Sequence, residues 1–197
     1  MQPLLNRLGV SKELQAYFDL QELCFNYGEE QEVFGGNYHL IPLTRDLWMN
    51  GNYPATELII TSSAMEAVAY MALNAWRHPA GSALSFIAVG LRPHPEQWQW
   101  IGRYCLKRKI TLVFSNDLCG RIADIVIAAG IRGRPVRPVW HSGNVQLRLP
   151  NMTVELSPEK TSLSAFEKAA AIRTAVRTRK PGRFNTFLDQ LRHDNEP

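Results

Sequence analysis

The sequence feature that most constrains the fold is an alternation of short, uninterrupted apolar runs with helical patterns between residues 57 and 131. The apolar runs are ELIIT (57–61), ALSFIAVG (83–90) and KITLVF (109–114). Each run is followed by a segment in which apolar residues recur every three or four positions, as on one face of a helix. Strands that are apolar at every position are typical of a parallel sheet covered by helices on both faces. We therefore predict an α/β fold with a parallel sheet of about four strands flanked by helices, the fourth strand being VRPVWH (136–141).

Weaker patterns on either side divide the chain into three predicted parts. Residues 1–54 form a small N-terminal segment, with a helix expected over 12–26 and one or two short strands after it, turning at Gly35-Gly36 and Asn50-Gly51. Residues 55–142 contain the strand–helix alternation, in which Pro79-Ala80-Gly81 is expected to end the first helix. Residues 143–197 are expected to form a hairpin, a basic helix over 162–180 and a short final helix.

Charge is distributed unevenly between the two halves of the chain. Residues 1–102 carry 5 Lys and Arg against 10 Asp and Glu, whereas residues 103–197 carry 17 against 8. The net charge of +4 therefore conceals a strongly basic C-terminal half. A basic surface favours a polyanionic partner, of which nucleic acid is the commonest.

Three further patterns bear on the compartment. No apolar run approaches the ~20 residues that a transmembrane helix needs, so we expect no membrane partner. The N-terminus lacks the apolar core of a secretory signal. The cysteines Cys24, Cys105 and Cys119 form no CxxC pair, which favours reduced thiols over a disulfide framework or a zinc site. We therefore expect a cytoplasmic protein.

Two segments, in order and with one strand and one helix between them, resemble the motifs of the Toprim domain found in primases, topoisomerases and related nucleases. In the family, an apolar strand ends in Glu-Gly and an acidic residue with Ala follows as the helix begins. LIITSSAMEA (58–67) has this outline, with Ser62 and Ser63 at the Glu-Gly positions and Glu66 at the later acid. The second family motif is a strand ending in Asp-x-Asp, followed by Gly-Arg or Gly-Lys. LVFSNDLCGR (112–121) is similar to it, with Ser115 at the first Asp and Asp117 at the second.

The resemblance implies a metal-dependent phosphoryl-transfer site from which two carboxylates are missing. The family glutamate serves as a general acid or base, but Ser62 has no group that titrates near neutral pH. The family Asp-x-Asp pair holds the metal, but Ser115 is a neutral oxygen where Mg²⁺ prefers a carboxylate. We therefore expect no catalytic residue and no tightly bound cofactor. If a Mg²⁺ ion binds weakly, Asp117 and Glu66 are the expected ligands.

The resemblance and the charge together predict a catalytically degenerate, Toprim-like, DNA-binding protein. The segment before residue 55 also resembles the region that precedes Toprim in plasmid and phage primase-like proteins. We thus expect a binding or assembly role in replication or mobilisation of a mobile element, with protein partners of such a complex. The residues predicted to contact nucleic acid or phosphate are Gly120, Arg121, Arg132, Arg134, Arg137, Arg173 and Arg177.

Two other hypotheses remain open from the sequence. An active nuclease or primase fragment would use Glu66 and Asp117 with further carboxylates, and a nucleotide-binding α/β domain would hold phosphates at the carboxyl edge of the sheet without a metal. Trp98, Trp100 and Trp140 could stack on bases, although core packing on a helix and a strand explains them better.

Overall fold

The computed structural model describes residues 3–51, 55–78 and 83–195. Within them the helices are α1 (Pro3–Arg7), α2 (Lys12–Tyr17), α3 (Ala64–Asn74), α4 (Pro95–Tyr104), α5 (Leu118–Ile131), α6 (Leu163–Ala170) and α7 (Phe187–Asn195). The strands are β1 (Cys24–Tyr27), β2 (Glu30–Phe34), β3 (His39–Leu40), β4 (Trp48–Gly51), β5 (Glu57–Thr61), β6 (Leu84–Ala88), β7 (Lys109–Val113), β8 (Arg137–His141), β9 (Asn144–Leu149), β10 (Met152–Leu156) and β11 (Arg177–Thr178). The predicted break at Pro79-Ala80-Gly81 lies outside the described residues.

A mixed five-stranded sheet in the order β11-β7-β5-β6-β4 forms the centre of the fold. Strands β5, β6, β7 and β11 are parallel, and β4 pairs with β6 in the antiparallel direction. The α/β fold class predicted from the sequence is therefore confirmed, and the three apolar runs are neighbouring strands at the centre of the sheet. Strands come from all three predicted parts of the chain, because β4 precedes residue 55 and β11 follows residue 143.

Both faces of the sheet are buried, which explains why its strands are apolar at every position. Ile59 of β5 packs into a core with α3, α7 and the N-terminal region. Its neighbours Leu58 and Ile60 point the other way, into a core formed with α4, α5 and α6. Successive residues of one strand thus enter two different hydrophobic layers.

A buried carboxylate ties the N-terminal segment to the central layer. Strands β1, β2 and β3 form a separate antiparallel sheet, and Glu32 of β2 is completely buried. Its carboxylate accepts hydrogen bonds from the backbone N–H groups of Ala64 (2.7 Å) and Met65 (3.0 Å) at the start of α3. It also accepts the Tyr27 hydroxyl at 2.7 Å and lies 2.9 Å from His39 Nε2. The negative charge therefore caps α3 from a distant part of the chain.

The prediction that residues 136–141 form a fourth parallel strand of the central sheet is wrong, because they pair with a different sheet. These residues contain β8, which belongs to a three-stranded antiparallel sheet in the order β10-β9-β8. Ser142 and Gly143, both with positive φ, connect β8 to β9 in the two-residue turn that favours a tight hairpin. This local pairing takes β8 away from the central sheet, whereas the hairpin predicted to turn at Pro150-Asn151 is confirmed as β9 and β10.

The long basic helix predicted over 162–180 is also wrong. Helix α6 ends at Ala170, and the next residue, Ala171, adopts a left-handed conformation with φ 53°. The Glu167 carboxylate then accepts hydrogen bonds from the Thr174 N–H (2.7 Å) and hydroxyl (2.6 Å), which turns the chain back. Arg177 and Thr178 consequently reach β7 and add a parallel strand to the edge of the central sheet.

Two smaller expectations in the N-terminal segment also fail. The helix predicted over 12–26 ends after Tyr17, because Asp19 takes a positive φ and residues from Cys24 onward form β1. Asn50-Gly51 is the end of β4 rather than a turn. The turn at Gly35-Gly36 and the final short helix are confirmed by the β2–β3 connection and by α7.

We predict that Glu32→Gln destabilises the protein by about 3 kcal/mol or more, because an amide NH₂ would face buried donors that a carboxylate satisfies. Urea unfolding followed by circular dichroism would measure the loss. The exposed Glu30 on the same strand provides the matched control, Glu30→Gln. Equal unfolding midpoints for the two variants would contradict a structural role for the Glu32 carboxylate.

Candidate functional site

The two Toprim-like motifs meet at the carboxyl edge of the central sheet. Thr61, the last residue of β5, pairs with Val113 at the end of β7 and with Ala88 at the end of β6. The Ser62-Ser63 turn and the Ser115–Asp117 turn therefore begin on adjacent strands. Carboxyl ends of parallel strands are where ligands bind in open α/β sheets, so this edge is the first place to examine for chemistry.

In the first motif the serines serve the start of α3. Ser63 is 1% exposed and its hydroxyl accepts the Glu66 N–H at 3.0 Å, which makes it the N-cap of the helix. The Thr61 hydroxyl donates to the Ser63 carbonyl at 2.7 Å and fixes the turn. Ser62 is half-buried between them. Glu32 binds the first two N–H groups of α3, so this helix start already holds a carboxylate where an anionic ligand would bind.

Glu66 is turned away from the turn and caps a second helix. Its carboxylate accepts the N–H groups of Phe187 (2.7 Å) and Leu188 (3.2 Å) at the start of α7. Burial raises the pKa of Glu66 to about 7, although these two N–H groups oppose the shift. The side chain is 3% exposed, so it serves as a buried link between α3 and α7.

In the second motif Asp117 is the N-cap of α5. Its Oδ1 accepts the Gly120 N–H at 2.8 Å and the Ser115 hydroxyl at 2.9 Å. The Gly120 backbone packs so tightly on the Ser115 carbonyl that a Cβ atom could not be placed there. Arg121 donates to the carbonyl oxygens of Asp117 and Glu159, each at 3.3 Å. The Gly120 amide predicted to bind phosphate is thus already bonded to Asp117.

An ammonium group lies directly behind the second motif. Lys180 Nζ donates to the carbonyl oxygens of Phe114 (3.1 Å) and Ser115 (2.9 Å) and forms an ion pair with Asp124 at 2.6 Å. Asp124 is 2% exposed, and its Oδ1 has no hydrogen-bond partner among the described residues. Burial raises the pKa of Asp124 to about 6, and the Lys180 charge opposes this shift. Burial likewise lowers the pKa of Lys180, whereas Asp124 raises it.

The residues that follow α6 thus touch both motifs. Besides Lys180 and the start of α7, the Asn185 carbonyl accepts the Asn116 N–H at 2.7 Å. These contacts all come from residues 177–188. Asp124 stands out in the sequence as a lone acid in the apolar helix IADIVIAAG, but nothing distinguishes Lys180 from the other cations around it or Glu32 from its acidic neighbours.

Within the described residues, no group of three or more His, Cys, Asp or Glu side chains is arranged to hold a metal ion. The two acids predicted to remain for a weak Mg²⁺ site cap different helices, Glu66 on α7 and Asp117 on α5. Each has its own hydrogen-bond donors and neither shares a partner with the other.

Of the predicted basic residues, Arg121 lies at the carboxyl edge, whereas Arg132, Arg134 and Arg173 lie toward the opposite, amino edge of the sheet. Helix α5 starts at the carboxyl edge and ends at Ile131, and Arg132 then donates to the Thr174 carbonyl at 2.6 Å. This hydrogen bond brings the loop after α5 beside the segment that leads into β11. Arg134 and Arg173 therefore lie on the same part of the surface, and both are exposed.

Helix α4 extends this basic surface. A Cβ atom on Gly102 would lie 2.6 Å from the Ile131 carbonyl oxygen, so the ends of α4 and α5 are in close contact. The exposed Arg103 and Lys107 follow directly. We call the combined surface the basic band; its members are Arg103, Lys107, Arg132, Arg134 and Arg173. The predicted Arg137 on β8 and Arg177 on β11 are also exposed. In the described part of the chain none of them forms an ion pair.

The tryptophans divide into one core residue and two surface residues. Trp98 is 8% exposed and packs between α4 and α5, as core packing predicts. Trp100 is 37% exposed and Trp140 is 61% exposed, so the expectation that they belong to the core is wrong. On α4 the apolar stripe turns away from Trp100, and β8 is an edge strand.

No protein-family model matches the chain, and comparison with curated proteins and with solved structures gave no significant match. None of the helices among the described residues combines the length and the apolar character needed to span a bilayer.

We predict that stability falls as pH rises from about 4.5 to about 7 and that Glu66→Gln flattens this dependence. Glu66 keeps its proton up to about pH 7 in the folded protein but loses it near pH 4.5 in the unfolded chain. The free energy of unfolding contributed by protonated Glu66 is therefore fully present below pH 4.5 and is lost as the pH rises to about 7. One such group changes the slope by at most about 1.4 kcal/mol per pH unit. Urea unfolding over this pH range measures it, with exposed Glu22→Gln as control. Identical slopes for wild type and Glu66→Gln would contradict the assignment.

Proposed function

We propose that this chain carries a Toprim-like domain that has lost its metal chemistry and binds nucleic acid. Its role would lie in replication or mobilisation of a mobile element, alongside the protein partners of such a complex. The observation that carries the binding role is the basic band, a set of cations on the amino side of the sheet without ion-pair partners in the described residues.

The engagement of the motif carboxylates supports the loss of chemistry. A general acid or base must reach the proton that it transfers, but Glu66 is buried beneath α7 and bonded to two backbone N–H groups. Asp117 Oδ1 already accepts two hydrogen bonds, which leaves Oδ2 as the one oxygen of this carboxylate for a Mg²⁺ ion, and Glu66, the other acid of the motifs, is bound to α7. The ammonium of Lys180 places a positive charge beside the same turn and would repel a second cation.

The same geometry weighs against nucleotide binding at the carboxyl edge. Phosphates in α/β sheets bind to free N–H groups at a helix start. Here the first N–H groups of α3 bind Glu32, and the Gly120 N–H of α5 binds Asp117. Protein carboxylates therefore occupy these three donors, which a phosphate would otherwise use.

The basic band supports a polyanion partner because its cations are available to phosphates. Each Lys or Arg that neutralises a phosphate releases counterions, so affinity for nucleic acid falls steeply with salt. A buried ion pair such as Lys180–Asp124 contributes nothing to this effect, whereas exposed Arg134 and Arg173 contribute fully. Non-specific binding governed by salt is the expected behaviour.

We predict that the protein binds labelled DNA oligonucleotides, measured by fluorescence anisotropy at a series of salt concentrations. Arg134→Gln/Arg173→Gln should lower the affinity at least about tenfold at low salt and reduce the slope of log affinity against log salt by about 2. Arg7→Gln/Lys12→Gln removes the same charge from exposed positions on α1 and α2 and is the matched control. Absence of binding at low salt, or equal losses in both double variants, would overturn the proposed interface.

A second measurement tests the loss of metal chemistry. We expect supercoiled plasmid to stay intact with the protein in the presence of Mg²⁺ or Mn²⁺. Nicking by the wild type that disappears in Asp117→Ala would contradict this proposal and favour a metal-dependent nuclease. Because the plasmid assay and the anisotropy assay are independent, one can fail while the other succeeds.

A further inference from the structure

An open groove lies between the edge strand β4 and the second half of α4, at the amino side of the sheet. Its volume is about 410 Å³, within the range of ligand sites in proteins. Residues that line it include Met49, Trp100, Tyr104, Cys105 and Arg108. We call it the aromatic groove. It is distinct from the carboxyl edge that carries the Toprim-like motifs, because α4 runs from that edge to the opposite one.

The walls of the aromatic groove are apolar and exposed. Met49 and Tyr104 are each 57% exposed, and Trp100 is 37% exposed. The rings of Trp100 and Tyr104 lie with centroids 5.1 Å apart and planes tilted by 47°. Large side chains in a concave surface are unusual when they face water, and a planar apolar ligand would cover them.

Positive charge borders the groove and connects it to the basic band. Arg108 Nη1 donates to the Ser85 hydroxyl at 3.0 Å at the groove wall. Arg103 and Lys107 are exposed and have no ion-pair partner in the described part of the chain. Through the contact of Gly102 with Ile131, these cations continue into the loop of Arg132 and Arg134. A phosphate backbone along the band would therefore deliver its bases to the groove.

We propose that the aromatic groove binds an unpaired nucleobase, so that the protein prefers single-stranded over duplex nucleic acid. This proposal rests on the nucleic-acid binding proposed above. Stacking on aromatic side chains combined with a cationic path for the backbone is how proteins bind single strands, whereas the bases of a duplex are already stacked on one another. The charge around the groove selects this occupant over an apolar segment of another protein.

The test compares variants of the groove with variants of the band. Trp100→Ala/Tyr104→Ala should lower the affinity for a single-stranded oligocytidylate by roughly fivefold or more and leave duplex binding unchanged. Trp100→Phe should retain most of the affinity because it keeps an aromatic face. Trp76→Ala is the control, since Trp76 is 75% exposed and lies on the other face of the sheet after α3.

The outcomes separate the groove from the band. Unchanged single-strand affinity in Trp100→Ala/Tyr104→Ala, together with a loss in Arg134→Gln/Arg173→Gln, would overturn the groove and leave the proposed function standing. If Trp100→Ala/Tyr104→Ala lowers the affinity for single strand and duplex equally, the groove proposal is also overturned. The substitutions would then act by disturbing the fold and not by removing a stacking surface. A shift of Trp100→Ala from dimer to monomer in sedimentation would assign the groove to contact between two copies instead. Failure of the wild type to bind any oligonucleotide would remove both proposals.

Discussion

The buried carboxylate of Glu32 is the contact on which much of the architecture depends. It joins a strand of the N-terminal sheet to the first two N–H groups of α3, and α3 covers one face of the central sheet. Without it, two helix donors, the Tyr27 hydroxyl and the His39 ring would lose a buried acceptor together. The arrangement also fixes the electrostatics of the carboxyl edge, because a negative charge already complements the positive end of the helix dipole there.

Capping of a helix start by a carboxylate also occurs at two other helices around this edge. Glu66 caps α7 and Asp117 caps α5, so each acid of the two motifs stabilises a helix start. Lys180 completes the arrangement by binding two carbonyl oxygens at the end of β7, which point outward and need a positive or donor group. The Lys180 ammonium supplies that positive charge at a fixed position, and, unlike a bound metal ion, it has no ligands that could exchange. A site organised in this way is stable and closed, which is why the proposed function places binding elsewhere.

The sequence predicts those parts of the fold that depend on local pattern. The apolar runs at 57–61, 83–90 and 109–114 and the hairpin at Pro150-Asn151 follow from periodicity and turn chemistry. Failures occur where a long-range partner decides. Residues 136–141 are strand-forming in any context, but only the positive φ values at Ser142 and Gly143 direct them to β9. Residues 171–178 read as helix, and only the vacant edge of β7 makes Arg177 and Thr178 a strand. In the candidate site, Lys180 and Glu32 gave no local signal because their roles depend on partners 65 and 32 residues away.

The placement of charge at opposite edges of the sheet is the last consequence of these contacts. Acids and a buried ion pair concentrate at the carboxyl edge, where they neutralise helix ends and strand ends. Cations without an ion pair in the described residues collect at the amino edge, because α4, α5 and the segment before β11 all finish there. A polyanion is attracted to the second surface, and the aromatic groove lies at the end of the same band. In the proposed function, the carboxyl edge, which usually carries chemistry in an α/β sheet, serves the fold, and the polyanion binds at the amino edge.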